Sequence, residues 1–198
     1  TGLGIARTAR ERDTYAVLCE GLPVMKAVQP TVIPRLSIVP ASVDLSGAEI
    51  ELVPAFSREL KLKRAIDGVR DDFDWVVIDC PPSLGLLTIN ALAASDDVIV
   101  PIQCEYFALK GISLLEETIA KVQSRINHRL KVVGLLPTMM KPVGHHRDVL
   151  QSVLDGYGDL VFHTAIPETI KFSETTINAL PITEYASKSP GADRSEEH

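Results

Sequence analysis

Short runs that are apolar at nearly every position, set between longer stretches with a helical repeat, constrain this chain more than any other feature. Leu36–Pro40, Trp75–Asp79, Val98–Ile102, Lys131–Pro137 and Leu160–Ile166 are predicted strands. Uninterrupted apolar character, without alternation, predicts cover on both faces of a sheet. Between them, Asp44 or Ser46 can cap a helix that runs through Leu52 and stops at Pro54. Leu62, Ala65, Ile66 and Val69 recur at i, i+3, i+4 and i+7, which predicts a second helix from Ser57. Further helices are predicted over Leu84–Ala94, Ala108–Ile126 and Arg147–Tyr157; the longest carries the stripe Leu115, Ile119, Val122, Ile126 and is assigned to the core. Strands separated by helices of this length imply right-handed crossovers and parallel pairing. The expected fold class is α/β, a doubly wound, mostly parallel sheet with flanking helices, built as a single domain over residues 1–198. Residues 1–35 read as an irregular, partly helical connection broken by Pro23, Pro30 and Pro34, and Ser187–His198 as a frayed polar tail.

Composition removes several classes of function. No stretch reaches the ~18 apolar residues of a membrane span, and Thr1–Arg7 lacks the apolar segment of a signal peptide. A net charge of −6 argues against a strongly basic nucleic-acid-binding domain, although local basic patches survive such a sum. Cys19, Cys80 and Cys104 are odd in number and far apart, so neither a disulfide framework nor a Cys-x-x-Cys zinc site is expected. His145-His146 has no third ligand at a suitable spacing and reads as a solvated helix start. Ser83 lacks the surroundings of a nucleophile elbow, and Lys141, Arg147 and Lys171 read as scattered surface charge.

Ligands of open parallel sheets bind at the carboxyl ends of the strands. Trp75-Val76-Val77-Ile78-Asp79 delivers one carboxylate to such an end, an arrangement that can serve a nucleotide's magnesium through water. Taken alone the signal is weak, because Asp also starts turns. Cys80-Pro81-Pro82-Ser83-Leu84-Gly85 then makes a stiff turn of few conformations before a helix resumes. A loop that must report on a terminal phosphate benefits from that restriction.

Asp79 through Leu92 (DCPPSLGLLTINAL) resembles the Walker B and switch II segment of the ParA/Soj chromosome- and plasmid-partitioning ATPases. Val100 through Gly111, Ile38 through Glu49, Ala165–Glu168 and Lys171–Glu174 resemble further segments of that family, and the likeness spans residues 1 to about 190. The resemblance implies a deviant-Walker ATPase switch: ATP and magnesium held between two subunits, a nucleotide-dependent homodimer that binds DNA without sequence preference, and a ParB-type partner that stimulates hydrolysis. It implies a cytoplasmic, nucleoid-associated protein with no membrane partner. By position, Asp79 matches the Walker B carboxylate, which would act in catalysis and reach magnesium through water. Cys80, Pro81 and Pro82 match switch II. Thr138, Pro167 and Glu168 fall where the family holds adenine, Lys171 where some members contact DNA, and Gln103–Gly111 near the dimer face.

One part of the pattern is missing. A phosphate-binding loop reads Gly-x-x-x-x-Gly-Lys-[Ser/Thr], and the chain contains no Gly-Lys pair. Thr1-Gly2-Leu3-Gly4-Ile5 resembles the segment just after that loop in the family, so the expectation is an N-terminal truncation. Asp193–His198 likewise stands where relatives continue into a last helix. Whether this polypeptide is itself an ATP hydrolase is therefore left open, and the expectation is that it holds ATP poorly and does not turn it over. Two other readings compete with a partitioning ATPase. One is a non-catalytic, truncated binding module. The other is a MinD-like cell-division ATPase, disfavoured because no basic amphipathic helix closes the chain.

Overall fold

The computed structural model describes residues 3, 5, 10–106, 108–189 and 191–192. Most of the Thr1–Ile5 segment, Phe107 within Gln103–Gly111, and the Asp193–His198 end lie outside the described residues. The chain divides into two units: the described residues of Ile5–Asp96 with Glu117–Leu130, and Asp97–Glu116 with the described residues from Lys131 onward.

In the first unit, Asp13 is fully buried, and its Oδ1 accepts the Ala16 N–H at 3.0 Å. That starts the π-helical segment Ala16–Glu20, which Gly21 closes at φ 73°, a conformation that suits glycine. The helices α1 (Val24–Ala27), α2 (Leu45–Glu51), α3 (Lys61–Asp67) and α4 (Leu86–Ala94) follow, with a short antiparallel pair of β1 (Gln29–Pro30) and β2 (Ser37–Ile38). Ala48 and Leu52 of the α2 region bury against Tyr15. Helix α4 is buried along most of its length. Its Asn90 donates to the Arg58 and Leu86 carbonyls at 2.8 and 3.0 Å and accepts the Leu62 N–H at 3.1 Å.

Three sequence expectations fail in this unit. Leu36–Pro40 is not a buried strand: only Ser37–Ile38 pairs, Leu36 is exposed, and Arg35 at φ 65° turns the chain just before it. Trp75–Asp79 joins no ladder among the described residues, and Trp75 and Val77 stand 85% and 90% exposed. An apolar run is covered only when neighbouring strands bring their layers over it, and here none pairs with it. Asp44 sits at the start of α2 but makes no side-chain cap, because its own backbone is already helical (φ −65°, ψ −21°), whereas a capping residue is extended.

The second unit holds β3 (Asp97–Gln103), α5 (Ala108–Arg125, whose residues up to Glu116 belong here), β4 (Lys131–Thr138), α6 (Gly144–Tyr157), α7 (Ile170–Asn178) and α8 (Ile182–Tyr185). β3 and β4 pair in parallel from Asp97↔Lys131 to Gln103↔Thr138, as the crossover argument requires. Val100, Ile102, Ile112, Leu135, Val153 and Val161 form the core, each buried aliphatic contributing roughly 1.5–3 kcal/mol. Ile99 and Val133 remain half-exposed, so cover is one-sided at those positions and not on both faces as expected.

The predicted strand Leu160–Ile166 is present as isolated parallel contacts along β4: the Leu135↔Val161 bridge, the bond from Phe162 N–H to the Leu135 carbonyl at 2.9 Å, and the bond from Ile166 N–H to the Pro137 carbonyl at 2.8 Å. Gly134 permits this approach, since a Cβ there would lie 2.6 Å from the Phe162 ring. Among the described residues no helix is long and apolar enough to cross a membrane.

Candidate functional site

The carboxyl ends of β3 and β4 lie side by side in the second unit, because Gln103 and Thr138 are register partners. Thr138 donates its hydroxyl to the Ile102 carbonyl at 3.1 Å, which stitches the two ends together. Met139 then adopts φ 52°, costing on the order of 1–2 kcal/mol for a residue with a side chain. That turn carries Met140 beside Pro167. The Met140 N–H donates to the Ile166 carbonyl at 3.0 Å, and the Glu168 N–H donates to the Met140 carbonyl at 3.0 Å. Pro167, which has no N–H, sits between these two bonds and leaves no donor unmet. Thr138 and the adjacent pair Pro167 and Glu168, far from it in sequence, are thus drawn to one strand end. Backbone strain at a strand end is a recognised mark of a functional position.

Charged groups surround this turn. Lys141 Nζ lies 3.1 Å from Glu168 Oε2. His146 is buried, 4% exposed; its Nδ1 accepts the Lys141 N–H at 3.3 Å, and its Nε2 lies 3.4 Å from Glu105 Oε1. The expectation of a solvated His145-His146 helix start therefore fails at His146. A signal for this is present in the sequence. His146, Leu150 and Val153 fall at i, i+4 and i+7, which puts the imidazole on the face of α6 that packs on the core.

Lys171, in the first turn of α7, lies 2.9 Å from Glu174 Oε2, with Tyr185 donating its hydroxyl to the same oxygen at 3.2 Å. The hydrogen bond to Glu174 and its charge hold the Lys171 ammonium above its ordinary pKa and the Glu174 carboxyl below its own. The cation is therefore paired within its own helix.

In the first unit, Asp79 is exposed, as are Cys80, Pro81 and Pro82. Crowding by surrounding protein atoms pushes the Cys80 thiol above its ordinary pKa, and the Asp79 charge adds to the effect, although the residue keeps exposed surface. At the far end of this loop Gly85 leads into α4, packed so closely on Glu49 that a Cβ would fall 2.0 Å from Glu49 Oε1. Among the described residues no cluster of three or more His, Cys, Asp or Glu side chains could hold a metal ion. Magnesium usually takes only one or two protein carboxylates, its remaining ligands being waters and substrate phosphates. The exposed Asp79 carboxylate fits that single role; a phosphate cradle is not encoded in these residues.

The fold is that of the P-loop NTPase-like proteins, mixed α/β with a parallel sheet and flanking helices. A solved structure of cobyrinic acid a,c-diamide synthase from Mycobacterium smegmatis, with bound ADP and magnesium, superposes at TM-score 0.81 with 38% identity, covering 98% of this chain and 72% of that one. The cell-division ATPase MinD of Pyrococcus furiosus shares the fold at TM-score 0.75 and 20% identity, covering 99% of this chain and 79% of that one.

The family described as an AAA domain matches residues 1–132. The sporulation initiation inhibitor protein Soj of Bacillus subtilis is 43% identical over 194 residues, 98% of this chain and 77% of Soj. The chromosome partitioning protein ParA of Myxococcus xanthus is 40% identical over 196 residues, 98% of this chain and 69% of that protein. The chain belongs to the ParA/Soj family of partitioning ATPases.

Proposed function

We propose that this chain carries the greater part of a ParA-type DNA-segregation switch that acts in the cytoplasm on the nucleoid. The junction of β4 with the Pro167–Glu168 turn is the observation that carries this reading. It gathers Thr138, Pro167 and Glu168 at a strand end, where nucleotides bind in sheets of this kind. In this reading the base of ATP lies against that turn. Asp79 faces a magnesium-bound water, and Cys80-Pro81-Pro82 converts the state of the terminal phosphate into a loop position. Magnesium, when bound, neutralises charge on the phosphates; the chain's own part is to orient and to exclude alternatives. The nucleotide-bound form is a homodimer that binds DNA without sequence preference, with Lys171 as one basic contact once released from Glu174, and a ParB-type protein stimulates turnover.

The lysine and backbone donors of a Gly-x-x-x-x-Gly-Lys loop dominate phosphate binding. A polypeptide of these 198 residues alone is therefore expected to bind MgATP weakly and not to hydrolyse it. Isothermal titration of that polypeptide tests this point, and micromolar affinity would contradict it. The cellular role is tested by removing the coding sequence from its host and counting cells that lack DNA. An unchanged count argues against a segregation role.

A further inference from the structure

We propose that Glu105, His146, Lys141 and Glu168 form a relay that makes the loop after β3 and the turn at Pro167–Glu168 move together, with His146 as its positioning residue. Burying an imidazole is unfavourable unless both ring nitrogens find partners. At His146 they do. Nδ1 accepts from the Lys141 N–H, so the ring proton sits on Nε2, which faces Glu105 Oε1 3.4 Å away. Lys141 is then held by its backbone on one side and reaches Glu168 with its ammonium on the other, at 3.1 Å. Glu168 completes the path through its N–H to the Met140 carbonyl. The exposed Lys141–Glu168 pair is worth little by itself. The buried ring, 4% exposed, is what fixes the position of the Lys141 backbone.

The functional consequence rests on the reading that the turn holds the base and that Gln103–Gly111 lies near the dimer face. Under that reading His146 couples the two: a shift of Glu105 on self-association is felt at the base, and nucleotide at the turn biases the loop in return.

Amide hydrogen exchange followed by NMR on the 198-residue chain tests the relay without nucleotide. His146→Leu is expected to speed exchange at Lys141 and Glu168 about tenfold while the β3–β4 ladder amides keep their rates. His146→Asn, whose side-chain oxygen can stand in for Nδ1, is expected to restore protection at Lys141. Should His146→Leu fail to fold, Glu105→Gln serves instead, and must move the His146 Nε2 resonance and speed exchange at Glu168. Unchanged exchange at Glu168, or equal acceleration across the whole ladder, overturns the relay. An MgATP titration of the same samples separates the two ideas. Because weak binding is already expected of this chain, the readout is local: if millimolar nucleotide moves neither the Thr138 nor the Glu168 amide resonance, the base-site reading fails while the exchange data still decide the relay.

Discussion

Replacing Asn90 with alanine should be among the most damaging single changes available in the first unit. Its side chain is fully buried and uses three of its four bonding positions on protein backbone. The most valuable of these is the Leu62 N–H, at the second position of α3, where no carbonyl of the same helix can accept it. Asn90 thus caps α3 from a neighbouring helix. Alanine leaves that half-buried donor unmet, at about 1–3 kcal/mol, and removes two further bonds of about 1 kcal/mol each, giving a total of roughly 3–5 kcal/mol. With a urea m-value of about 2 kcal/mol/M, the unfolding midpoint should fall by roughly 1.5–2.5 M. Asn90→Asp should be comparably harmful at neutral pH, since a carboxylate keeps the Leu62 bond but turns lone pairs toward the Arg58 and Leu86 carbonyls. Acidification should recover part of that loss, because the protonated carboxyl can donate again. As a control, Asn178→Ala breaks an exposed bond to Glu174 at 2.8 Å and should change the midpoint little. If both Asn90 variants shift the midpoint by less than about 0.3 M, the capping argument is wrong.

Trp75 is the only tryptophan and stands 85% exposed, so its fluorescence should resemble free indole in water and be quenched readily by iodide. A blue-shifted, protected emission would mean that Trp75–Asp79 is covered after all. Gly85→Ala should cost no more than about 1 kcal/mol, because only the carboxylate end of Glu49 must swing aside, and less still in a Glu49→Ala background, as thermal melts of the four variants would show. Equal costs in the two backgrounds would dismiss the contact. Cys80 should alkylate more slowly than a free thiol at pH 8, and faster after Asp79→Asn, as read by mass spectrometry; no acceleration would remove Asp79 as a cause. Because the folded thiol holds its proton more tightly than the unfolded one, its contribution to stability is complete below the unfolded value near ~8.5 and is lost as pH rises through the folded one.

Much of the layout is legible in the residues themselves. Helices α3 and α5 follow from their apolar repeat, α2 from its start and stop signals, and strands β3 and β4 with their parallel pairing from the alternation of apolar runs and helical stretches. The segments carrying Asp79, Thr138, Pro167 and Glu168 are marked by local pattern and by resemblance. Strand pairing at Leu36–Pro40 and Trp75–Asp79 is not legible, since composition records a wish for cover and not whether a neighbouring strand supplies it. Cap geometry at Asp44 is equally hidden, as it turns on backbone angles.

What the sequence determined by itself is the run of helices from α2 to α6, the parallel β3–β4 pair and the family to which the chain belongs, for these are written in local pattern and in residue identities. Tertiary structure alone decided that the end of β4 meets the Pro167–Glu168 turn through Met140, that Asn90 caps α3 from a neighbouring helix, and that Glu105 comes within 3.4 Å of the buried His146. Those contacts join residues at least 26 positions apart in the chain. Their energies depend on distance and on exclusion of water, and neither exists until the units have folded.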